Sequence, residues 1–137
     1  MTALLRLQEA IYTTLKNDTT LSTLVTDVLD YVPENQPTPY IVIGHFTENA
    51  ENTFTETGRD IIARIHIWST AKGNEEGLNI LDRVVELLDH TDIPVTGYNT
   101  VVSEYLNALT LREDAKMDFD DGVRQVAALF HFFLEKV

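Results

Sequence analysis

The 137-residue sequence contains no cysteine. That excludes disulfides, cysteine nucleophiles and thiolate metal sites, and it fits synthesis in a reducing compartment. Serine is nearly as scarce: only Ser22, Ser69 and Ser103 occur, and none lies in a G-x-S-x-G pattern. The six glycines, at 44, 58, 73, 77, 97 and 122, are scattered and match neither a P-loop nor a dinucleotide fingerprint. Basic residues are also few, 10 against 22 acidic ones, for a formal net charge of −12. Recognition of nucleic-acid phosphates starts from clustered Lys and Arg, so this balance argues against a nucleic-acid binder. It equally disfavours docking on an anionic membrane. Long hydrophobic runs are missing too. The longest apolar stretch, residues 126–134, includes His131 and is far too short to span a bilayer. Residues 1–6 lack the apolar core of a secretory signal, and none is expected.

What remains is enough for a folded domain. Forty-four per cent of residues are hydrophobic, and a chain of this length buries roughly two-thirds of its unfolded surface without a metal or disulfide staple. One domain over residues 1–137 is expected, with no internal repeat or linker. Leu4, Leu7, Ile11 and Leu15 recur at helical spacing, with Thr2 as the expected N-cap. Asp18 is placed to cap a short second helix whose Leu21, Leu24, Val25 and Val28 face the core. Residues 28–32 read as a short strand, and Pro33, Pro37 and Pro39 then enforce an extended loop. Residues 40–46, rich in β-branched and aromatic side chains on both faces, read as a central strand.

The pattern breaks at residues 47–58, a polar stretch with three Glu and no Lys or Arg, which reads as a long hairpin loop or as two projecting strand extensions. Residues 59–69 form the clearest strand. Ile61, Ala63, Ile65 and Ile67 alternate on one face, and Ile62, Arg64, His66 and Trp68 on the other. A helix comes after Asn74, its expected N-cap. Glu75 and Glu76 occupy the dipole-favoured first turn, and Leu78, Leu81, Val84, Val85 and Leu88 form its stripe. Residues 101–111 read as a strand with Val101, Tyr105, Leu109 and Leu111 on one face. Residues 112–121 form a charged loop, and 123–137 a last, apolar strand. The order α-α-β-β-β-α-β-β predicts an α+β fold, a mostly antiparallel sheet packed on one face by two or three helices, with projecting polar loops. The Arg64, His66, Trp68 face is then left for another subunit, or for a covering loop or helix.

No residue set carries an enzyme signature. His45, His66, His90 and His131 show no metal-ligand spacing. The acidic run ending at Gly122 fails the calcium-loop pattern, because Met117 and Phe119 fall on ligand positions. Ser69 comes after a strand and before a helix but lacks the flanking glycines of a nucleophile elbow. No catalytic residue, metal or cofactor is expected. The unusual features are the two polar segments, because long loops on small domains are often where function sits.

The order of motifs resembles the gp17-like tail completion, or tail terminator, proteins of long-tailed bacteriophages and prophages. The blocks that carry the resemblance are the N-terminal helix from Leu7 to Asp18 with the Leu21–Val25 segment, then Val28-Leu29-Asp30-Tyr31-Val32-Pro33 leading into Thr38-Pro39-Tyr40-Ile41-Val42-Ile43-Gly44. Ile65-His66-Ile67-Trp68-Ser69 is next, with Gly73, the helix to Leu88 and the last apolar strand. The resemblance covers almost the whole chain and implies structural work in the virion. It implies a hexameric ring on the head-proximal end of the tail tube, which stops tube elongation and joins tail to head, assembled in the host cytoplasm. Its partners would be further copies of the chain, the major tail tube protein and a head completion or connector protein. DNA would pass through without specific binding. Within that picture Glu48, Glu51, Phe54, Glu56, Asp114, Asp118 and Asp120 are the expected tube or channel contacts, and Arg64, His66 and Trp68 the expected subunit interface. The competing expectation is a small α+β ligand- or partner-binding module unrelated to virions. An enzyme using His66 and a loop carboxylate ranks third.

Overall fold

The computed structural model describes residues 2–113 and 123–137. In chain order the elements are α1 (Leu4–Lys16), α2 (Thr19–Leu24), β1 (Val28–Leu29), β2 (Tyr40–Ala50), β3 (Gly58–Ser69), α3 (Glu75–Leu88), β4 (Tyr98–Glu113) and β5 (Val123–Lys136). The strands form one sheet in the order β1-β2-β3-β5-β4. β1 runs parallel to β2, and the other three pairings are antiparallel. This is the expected α+β layout.

The helices lie on one face. Leu7, Ala10, Ile11 and Leu15 of α1 and Ile80, Leu81, Val84 and Leu88 of α3 are buried against it. Opposite them stand Ile41 and Ile43 of β2, Ile61, Ala63, Ile65 and Ile67 of β3, and Val126, Ala128, Phe130, Phe132 and Leu134 of β5. The alternation read from β3, and one face of the apolar run read as β5, therefore become the floor of the core. Phe130 and Phe132 are its largest fully buried side chains.

One helix start departs from expectation, and another keeps its N-cap residue without the side-chain bond. Thr2 does not cap α1. The N-cap is Ala3, which has no side-chain acceptor, and its amide donates instead to Glu48 Oε2 at 2.8 Å. An anion there also suits the helix dipole. Asn74 does occupy the N-cap of α3, but its side chain makes no cap bond and its Oδ1 accepts from Arg124 Nη1 at 3.1 Å. Asp18 caps α2 as expected, accepting from the Leu21 amide at 2.8 Å, and also takes Arg83 Nη2 at 2.6 Å and Nε at 2.9 Å. The same carboxylate thus ties α2 to α3.

Three strands differ from their sequence reading. β1 is two residues long, so β2 is covered on that side only at Ile41 and Val42, and the rest of β2 is a sheet edge rather than a central strand. β2 continues to Ala50 and β3 starts at Gly58, which decides between the two readings of residues 47–58 in favour of strand extensions. In β4, register shifts at Thr100/Val102 and Tyr105/Asn107 each insert one residue. Each bulge reverses the facing of the residues after it. Tyr105 therefore packs against Phe130, with ring centroids 5.7 Å apart, whereas Leu109 lies opposite Ala127 on the other face. Val101, Tyr105, Leu109 and Leu111 do not share a face.

Candidate functional site

The sheet face away from the helices has no covering element among the described residues. Its middle is built by register. Arg64 pairs with Gly44 on β2 and Leu129 on β5, and His66 pairs with Val42 and Ala127. A β-bulge between Gly44 and Phe46 leaves His45 as the extra residue, with φ at +62°. The bulge brings its ring edge-on to His66, with centroids 5.6 Å apart. Gln125 Nε2 donates to His66 Nδ1, so the neutral His66 ring carries its proton on Nε2, which is buried and finds no acceptor. Burial holds the His66 pKa below the ordinary histidine value, and the neighbouring His45 and Arg64 lower it further. Trp68 continues the face and is half-buried.

Towards the other end of the same face, His131 is bridged by two carboxylates. Its Nδ1 bonds Glu104 Oε1 at 2.9 Å and its Nε2 bonds Asp60 Oδ1. Burial alone would lower its pKa, but the bonds to Glu104 and Asp60 outweigh that and hold it above the ordinary value. Two histidines on one face thus have opposite protonation preferences, set by their neighbours.

The β2–β3 hairpin closes in a tight, self-bonded tip. The Thr53 amide donates to Glu56 O at 2.9 Å, the Glu56 amide to Thr53 Oγ1 at 3.0 Å, and Gly58 N to Asn52 Oδ1 at 3.3 Å. Of the expected contact residues, Glu51, Phe54 and Glu56 are exposed at this tip, Phe54 fully. Glu48 is not free: it lies part-buried at the hairpin base, holding Ala3 N and pairing with Arg59 Nε at 3.9 Å. Asp114, Asp118 and Asp120 lie outside the described residues. The β3–β5 register pairs Gly58 with Glu135 and Ser69 with Arg124, so β4 ends and β5 begins at the sheet end opposite the tip.

All three serine hydroxyls bond within the chain, Ser69 and Ser103 buried and Ser22 exposed. Ser69 Oγ donates to Glu76 Oε1 at 2.6 Å, Ser22 Oγ to Thr19 O at 2.8 Å, and Ser103 Oγ to Leu88 O. Among the described residues no group of three His, Asp or Glu is arranged to hold a metal ion, and no helix is long and apolar enough to cross a membrane. Alternation along the sequence singles out Arg64, His66 and Trp68. It misses His45, because a bulge leaves no periodic trace, and it misses the Asp60–His131–Glu104 bridge, because its members come from three strands.

Comparison with known proteins agrees with this geometry. The family described as tail completion protein gp17 matches residues 9–131. The tail completion protein gp17 of Bacillus phage SPP1 is 25% identical over 107 residues, covering 78% of this chain and 79% of its own length. A chain from the virion of a native gene transfer agent particle superposes with a TM-score of 0.82 at 24% identity, over 94% of each chain. The bacteriophage SPP1 gp17 structure superposes at 0.59 with 24% identity, over 92% of this chain and 86% of that one. The two superpositions show a shared fold. The family match spans nearly the whole chain, and on it the chain belongs to the tail completion protein gp17 family, with a structural role in completing a phage tail.

Proposed function

We propose that the chain acts as a tail terminator, closing into a ring on the head-proximal end of the tail tube, halting tube elongation and joining tail to head without catalysis. Family membership supports the setting. The single observation that carries the mechanism is the contrast between the two faces of the sheet. One is sealed by α1 and α3, while the other presents Arg64, His66 and Trp68 with nothing over them among the described residues. A closed ring needs two different surfaces per subunit, one for each neighbour, and an uncovered face with aromatic and cationic groups suits one of them. Six copies is the number this reading adopts. Repeated weak contacts then hold together through effective concentration.

The two polar segments, rich in carboxylates, suit contacts made outside their own subunit. The first is the hairpin with Glu51, Phe54 and Glu56; the second, residues 112–121, contains Asp114, Asp118 and Asp120. Glu48 supports the hairpin base. The net charge of −12 would repel passing DNA from a channel wall and keep it from sticking.

The test is a deletion of residues 49–57. The expected product folds, because none of the deleted residues belongs to the buried core, yet leaves heads and tails unjoined when it replaces the intact chain during phage growth. Normal yields of infectious particles from that variant would overturn the assignment of the hairpin.

A further inference from the structure

Three features of the subunit lack a role inside it. Phe54 stands fully exposed at a structured tip, between Glu51 and Glu56. Arg64, unlike Arg6 and Arg83, is exposed with no carboxylate bonded to it among the described residues. Gly44, directly opposite Arg64, needs no glycine on backbone grounds: its φ is not positive, and a Cβ built there meets nothing within 4 Å. The result is a bare patch of sheet flanked by Arg64, His45 and His66.

These features are complementary. The tip offers an apolar ring and two carboxylates; the face offers an open floor and a guanidinium, with the His45–His66 pair beside them. They cannot meet within one chain. Between Gly44 and the end of β2 the hairpin extends six residues, about 20 Å at roughly 3.3 Å per residue, before the tip begins. That rise carries the tip away from its own Arg64.

We infer that the hairpin tip of one copy docks on the uncovered sheet face of the next copy, with Phe54 over Gly44 and Glu51 and Glu56 against Arg64 and the His45–His66 pair. The contact is heterologous, tip to face, so it propagates around a ring rather than closing a dimer. The Phe54 ring is the anchor, and the charges set orientation and partner choice. The inference rests on the ring reading and names the surface that receives the tip.

The absence of cysteine makes a direct test possible. Full-length Thr55→Cys, at the tip, is mixed with full-length Val42→Cys, on the open face beside Gly44, under mild oxidation, one partner carrying a mass tag. Disulfide-linked mixed dimer is expected in at least tenfold excess over a control pairing of Thr55→Cys with Thr23→Cys, an exposed position on α2. Adding Gly44→Leu or Arg64→Glu to the face partner should reduce the yield at least fivefold. Glu51→Lys with Glu56→Lys on the tip partner should restore it for Arg64→Glu. A yield equal to the control, or one indifferent to both face changes, overturns the docking. So does transfer of the tip cross-link to a tube subunit in assembled tails. Rings visible on tails with the cysteine pair unlinked would sink the docking and leave the ring reading standing. A specific cross-link without rings on tails would do the reverse.

Discussion

At the scale of single residues, environment rather than residue type decides what the histidines do. His131 interrupts an apolar run and, in the sequence, shows no metal-ligand spacing. Its partners lie 27 and 71 positions away, beyond the reach of any local pattern. Its raised pKa has a definite sign in stability. The folded state holds the proton more tightly than the unfolded chain, so the contribution is full below the unfolded value of 6.5 and is lost as pH rises through the raised folded value. The urea midpoint gap between the parent and His131→Gln is therefore expected to be widest below pH 6.5 and to close at higher pH. A gap that widens with rising pH would contradict the bridge. Ring-proton titration by NMR should separate the two residues, His131 with a midpoint above the ordinary value and His66 below it.

At the scale of elements, the hairpin depends on close backbone packing that composition does not reveal. A Cβ on Gly58 would lie 2.5 Å from Glu51 O and 3.0 Å from Phe133 Cζ. Gly58→Ala must push the β2 end outward, at a cost of about 1–3 kcal/mol by analogy with overpacking. Chemical denaturation should register that loss, whereas Gly44→Ala, with open space around it, should leave stability within about 0.5 kcal/mol of the parent. Helix and strand existence is legible because the stripes of α1 and α3, the alternation of β3 and the apolar run of β5 depend on near neighbours in the chain. The α1 cap is not legible, since its acceptor, Glu48, comes from a strand 45 residues on. The faces of β4 are not legible either, because two bulges break the parity on which alternation relies.

At the scale of the whole molecule, we propose that residues 1–137 fold as one cooperative unit. α1, α2 and α3 share one core with all of the long strands, centred on Phe130 and Phe132. Far-UV circular dichroism, reporting the helices, and Trp68 fluorescence, reporting the open face, are expected to trace the same unfolding transition. Phe130→Ala should shift both together, by about 3–5 kcal/mol. Two separated transitions would show that helix layer and sheet are not one unit.

The sequence by itself determined the α+β class, the order of elements, the Asp18 cap, and the division of β3 into a core face and an Arg64, His66, Trp68 face. These depend on local periodicity and on capping chemistry within a few residues. Only the tertiary structure decided that Glu48 is enlisted to hold α1 while Phe54 stays free, that His45 is turned onto His66, and that His131 is clamped between Asp60 and Glu104. Each of those arrangements joins residues distant in the chain through strand pairing, and strand register, unlike helical or strand periodicity, is set by the partner strand as much as by the strand itself.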